Sequence, residues 1–190
     1  MKRILVSLLV VCFTIAAWAQ NDDFVQYQLD NGLTVYLWED HDQPDVQGWT
    51  VTRAGAIDEP ADATGLAHYL EHMLFKGTDR IGALDWEKEQ PLYEQIIALY
   101  DTLALTTDAK AREAVQLRIN EVSLEAAKYA APDEFSNLIQ GIGGEGLNAF
   151  TAYDVTCYMN SFPAYQMERW LTLYADRLTN PVFRSFQAEL

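Results

Sequence analysis

The chain has 190 residues, 49% of them hydrophobic and 22% charged, with 13 basic residues against 28 acidic ones and a formal net charge of -15. This composition excludes a disordered tail, a collagen and a low-complexity linker, and fits one globular domain or a little more. So acidic a surface repels phosphate backbones, which argues against a nucleic-acid partner.

The N-terminus reads as a targeting segment. Lys2 and Arg3 are followed by an almost uninterrupted apolar run over 4–17 and by the small-x-small sequence Ala17-Trp18-Ala19. This predicts a secretory signal peptide over 1–19, cleaved after Ala19, and hence a secreted or periplasmic protein. The run is short for a membrane span and polar residues follow it at once, so no span is expected after cleavage. Cleavage removes Cys12 and leaves Cys157, which has no internal disulfide partner and is expected to be a buried thiol.

Residues 24–29 alternate and run into Asp30-Asn31-Gly32, a hairpin signal, and 33–38 return as a second strand. After Pro44, 46–53 read as a third strand and 55–63 as a polar loop. Thr64 is expected to cap a helix with Leu66, Leu70, Met73 and Leu74 on its apolar face, ended by Gly77-Thr78. Two long helices over 91–103 and 109–129 predict an antiparallel helical hairpin, read as a scaffold or interaction arm. A short helix over 133–140 leads into a turn holding Gly141, Gly143, Gly144 and Gly146. Strands over 147–151 and 155–161 follow, then an amphipathic helix over 163–178 and the first turns of another helix over 183–190. The expected class is α+β, an antiparallel or mixed sheet with helices packed on one face.

Chemistry concentrates in His68-Tyr69-Leu70-Glu71-His72. On a helix, residues four apart share a face, so both imidazoles can reach a single metal ion. Zn²⁺ takes imidazole nitrogen, and Glu71 can project towards a water held on that metal without being a ligand itself. A metal-bound water has a strongly lowered pKa, and the neighbouring carboxylate can take its proton during attack on a peptide carbonyl. No Ser or Cys hydrolase motif is present, and the glycine turn lacks the Lys-Ser/Thr pair of a phosphate-binding loop.

The run from Gly65 through His68, Glu71 and His72 to Thr78 resembles the signature of the insulinase or pitrilysin family of zinc peptidases, the inverted-motif zincins. A second segment resembles the family too: Gly144, then Leu147-Asn148-Ala149-Phe150-Thr151, Asp154, Thr156 and Tyr158. The resemblance implies a zinc endopeptidase with His68 and His72 as metal ligands and Glu71 as general base. It implies that Asn148 and Ala149 lie on an edge strand that holds an extended peptide or unfolded polypeptide substrate. It also implies that Glu189 assists the metal site, that the third ligand is a glutamate beyond Leu190, and that further related domains or a partner subunit enclose the substrate. Glu145, Asp154 and His41 are weaker substitutes for that ligand. On this reading 20–190 form an incomplete N-terminal metallopeptidase domain, truncated at its C-terminus, with 79–140 as a helical insertion. The alternative is a non-catalytic pseudo-enzyme or peptide-binding module.

Overall fold

The computed structural model describes residues 24–189, so the expected signal peptide lies outside the described residues. The chain divides into two compact units, one ending at Pro44 and the other starting at Asp45.

In the first unit, β1 (Phe24–Gln28) and β2 (Thr34–Trp38) pair antiparallel, with Phe24 opposite Trp38 and Gln28 opposite Thr34. The turn closes through a 2.9 Å bond from the Leu29 N–H to the Leu33 carbonyl, and Gly32 takes φ 88°. Only a residue without Cβ adopts that conformation freely, which is why the Asn-Gly signal was informative.

The second unit is built on a three-stranded antiparallel sheet of β3 (Asp45–Thr52), β4 (Glu145–Thr151) and β5 (Thr156–Pro163), in the order β3-β5-β4. Trp49 on β3 and Asn148 on β4 both pair with Met159 on the central strand. Side chains alternate across a strand. Tyr158 and Phe162 of β5 therefore join Phe135, Ile139, Trp170 and Tyr174 in one buried core, while Trp49, Val51 and Phe150 on the other face stay exposed. Cys157 is buried, and burial pushes its thiol pKa up.

Five helices accompany the sheet: α1 (Leu66–Met73), α2 (Trp86–Leu105), α3 (Ala109–Ala126), α4 (Glu134–Gly141) and α5 (Met167–Thr179). Phe135 and Ile139 of α4, with Trp170 and Tyr174 of α5, supply the helical half of the core. Gly48 is required where α5 crosses β3, since a Cβ there would stand 2.4 Å from the Trp170 ring. The mixed α+β architecture with antiparallel strands agrees with the sequence-based expectation.

Several boundaries differ. α1 starts at Leu66, because Gly65 at φ 91° rather than Thr64 stands at its N-cap. α2 starts at Trp86, where the Asp85 carboxylate accepts from the Lys88 N–H, and Pro91 lies inside the helix. So near the helix start a proline forfeits one backbone bond without breaking the element. The last turns are not an α-helix: Ser185 at φ 58° interrupts them and a 3₁₀ turn, Phe186–Glu189, follows.

The helical hairpin of α2 and α3 is fastened by a buried ion pair. Arg184 donates from Nε to Glu89 of α2 at 2.7 Å and, through its Nη atoms, to the carbonyls of Lys76, Thr78 and Ile81 at 2.6, 2.7 and 3.1 Å. One guanidinium thus satisfies the loop after α1 and the first turn of α2 together. Among the described residues no helix is long and apolar enough to cross a membrane.

Candidate metal centre

The helix that carries the histidines is only eight residues long and has no cap of its own. Glu59, from the preceding loop, supplies one: its two carboxylate oxygens accept from the Gly65 and Ala67 N–H groups, each at 2.8 Å. Two orphaned donors are satisfied at once, and the negative charge sits at the positive end of the helix dipole.

One turn apart on α1, His68 and His72 are both exposed, and their Nε2 atoms stand 3.2 Å apart with the ring planes at 88°. Two nitrogens bound at about 2.0–2.1 Å to a tetrahedral zinc lie about 3.3 Å from each other. The spacing and the imidazole chemistry therefore fit one zinc ion. Glu71 is buried at 6% exposure, and its Oε2 accepts from Thr151 Oγ1 of β4 at 2.6 Å. The ligand atoms of His68, Glu71 and His72 lie within 4.8 Å of one another, and among the described residues this is the one such group. Glu145 and Asp154 do not join it.

Two further layers stand behind Glu71. Thr156 Oγ1 donates to the Ala54 carbonyl at 2.9 Å and lies 3.5 Å from Thr151 Oγ1. Arg177 is fully buried among the rings of Phe75, Phe135, Tyr158 and Tyr174, with its guanidinium carbon 4.2 Å from the Tyr158 ring centre. Burial lowers the Arg177 pKa to about 10, against the opposing pull of Tyr174, Tyr158 and Glu71. The aromatic faces compensate in part for water lost by the cation.

Asn148 and Ala149 fall on β4, an outer strand of the sheet, with Asn148 exposed and Ala149 half-buried against the core. The Glu71–Thr151 bond places this strand beside the histidine pair. Glu189 belongs to the 3₁₀ turn, and its side chain lies outside the described residues. That turn leans on α1, because the Tyr69 hydroxyl donates to the Phe186 carbonyl at 2.5 Å.

Sequence reasoning found the His–Glu–His group and missed Glu59, the Thr151 hydroxyl and Arg177. Helical spacing flags only partners within one helix. Thr151 and Glu71 are 80 positions apart, and nothing local to either announces the pair.

The family model described as Insulinase (Peptidase family M16) matches residues 34–90. The chain is similar to the probable zinc protease PqqL of Escherichia coli (strain K12), 24% identical over 154 residues, covering 80% of this chain and 12% of that protein. Its fold resembles a protease from Helicobacter pylori, with TM-score 0.57 and 18% identity over 87% of this chain and 28% of that one. It also resembles the first half of the periplasmic protease PqqL from Escherichia coli, with TM-score 0.55 and 19% identity over 86% of this chain and 26% of that one. The chain thus spans 12% of the curated relative and 28% and 26% of the two solved chains. Residues 34–90, which include the motif helix, thus match the insulinase family model, and most of the described chain shares the fold of these solved proteases.

Proposed function

We propose that this protein is a zinc-dependent endopeptidase in which His68 and His72 hold the metal and Glu71 is the general base. One observation carries the reading: two exposed imidazole nitrogens 3.2 Å apart stand beside a buried, hydrogen-bonded carboxylate on the same short helix. Zinc bound there supplies a Lewis acid that polarises a peptide carbonyl and acidifies a coordinated water. Glu71 accepts a proton from the attacking water and returns it to the departing amide nitrogen. Asn148 and Ala149 present the free edge of β4, so that a peptide or unfolded polypeptide adds as an extra strand largely independent of its sequence. Glu189 supports the ligands from outside, and further related domains or a partner subunit close around the substrate. The segment 79–140 is an inserted helical arm. Export follows from the signal peptide over 1–19.

A second reading, a non-catalytic peptide-binding module, draws on the number of imidazoles in the cluster. Two are present, where catalytic zinc sites take three protein ligands. The two readings separate on one assay. Zinc-loaded protein is incubated with an unfolded polypeptide, and the products are read by mass spectrometry. The endopeptidase reading expects internal cleavages that are lost in Glu71→Gln while zinc is retained. Binding of the polypeptide without cleavage by the unaltered chain would refute it.

A further inference from the structure

Thr151 holds Glu71 by a bond of defined direction. The hydroxyl has one proton, and two oxygens lie near it: Glu71 Oε2 at 2.6 Å and Thr156 Oγ1 at 3.5 Å. Thr156 spends its own proton on the Ala54 carbonyl at 2.9 Å, so it turns a lone pair towards Thr151. The short contact, to the carboxylate, is the one that receives the Thr151 proton, and a charge-assisted bond of this length is among the stronger ones a hydroxyl makes. Glu71 is 6% exposed, so water contributes little to fixing its orientation. The methyl group of Thr151 stiffens χ1 and leaves the hydroxyl few alternative directions.

From this geometry we propose that Thr151 is a positioning residue for Glu71. One carboxylate oxygen is tied down on the β4 side, and the other keeps its lone pairs for the reaction. The bond also spans from α1 to the strand that carries Asn148 and Ala149. The base and the substrate-holding edge are therefore registered to each other by a single hydroxyl. This inference rests on the role proposed above for Glu71, but its central test does not depend on cleavage.

The metal-free chain is labelled with ¹³C at glutamate carboxylates, and the Glu71 band is isolated by infrared difference against Glu71→Gln. Thr151→Val, which keeps the shape and removes the hydroxyl, is expected to shift that band, and Thr151→Ser is expected to leave it at the wild-type position. If Thr151→Val does not fold, as judged by circular dichroism, Thr151→Ala carries the same expectation. A band unchanged in the hydroxyl-free variant overturns the proposal. In zinc-loaded protein, kcat is expected to fall at least about tenfold in Thr151→Val with KM unchanged, and to recover in Thr151→Ser. If the unaltered chain cleaves nothing, the endopeptidase reading fails, and the infrared band still decides the role of Thr151.

Discussion

Glu71 and Arg177 are both buried charges, and burial is costly unless the group is paired or hydrogen-bonded. Glu71 has Thr151, whereas Arg177 has four aromatic rings. Two of those rings carry hydroxyls that the same burial affects. The pKa values of Tyr158 and Tyr174 are pushed up to about 12, chiefly by desolvation. Tyr174 also donates to the buried Asn160 Oδ1 at 2.8 Å, a bond that needs its proton. The folded state therefore keeps these protons above the ordinary pKa, and the stability they contribute is complete below about pH 10 and lost as pH rises through about 12. Arg177 works the other way, since its folded pKa of about 10 lies below the usual value, and deprotonation relieves its burial. Two losses against one gain leave a net loss, so thermal midpoints are expected to fall between about pH 10 and 12. Tyr174→Phe is expected to flatten that fall, with one loss against one gain. A fall as steep in the variant as in the parent would contradict this assignment. None of this was legible in the sequence. The cage around Arg177 forms only when β5, α4 and α5 meet, bringing together residues far apart in the chain.

At the scale of elements, periodicity carried far. Alternation over 24–38 with Asn31-Gly32 gave the hairpin, and the four-residue spacing of His68 and His72 gave the shared helix face. Helix ends carried less. Thr64 is a reasonable cap by local chemistry, yet Gly65 in the left-handed region ends the loop and Glu59 reaches back to the N–H groups. A cap from six and eight residues away follows no local rule. Its effect is testable, because α1 is short and holds both histidines. Glu59→Ala is expected to cost about 1 kcal/mol in urea denaturation, as other lost caps do, and to weaken zinc binding by fraying the first turn. Unchanged stability in that variant would show that the helix start is held by something else.

At the scale of the whole molecule, the parts fit into one chain of causes within the second unit. Arg184 ties the loop after α1 to Glu89 of α2, and Tyr69 ties α1 to the turn at Phe186. β4 meets α1 through Thr151. The short motif helix is thus held at its start by Glu59, along its buried side by β4, and beyond its end by Arg184, leaving the two histidines on its exposed side. The sequence revealed the class of fold and the grouping of His68, Glu71 and His72 on one helix because both depend on short-range spacing. It did not reveal the fastening, because each fastening bond joins residues far apart in the chain. The central claim is that this exposed side holds one metal ion through His68 and His72, with Glu71 beside it as a base. Zinc titration of the metal-free chain by calorimetry tests it most directly. One zinc per chain is expected, with affinity retained in Glu71→Gln. Loss of either histidine is expected to weaken binding beyond the about 10–100-fold that removing an outer hydrogen-bond partner costs. Zinc bound equally well by His68→Ala and His72→Ala would contradict the account.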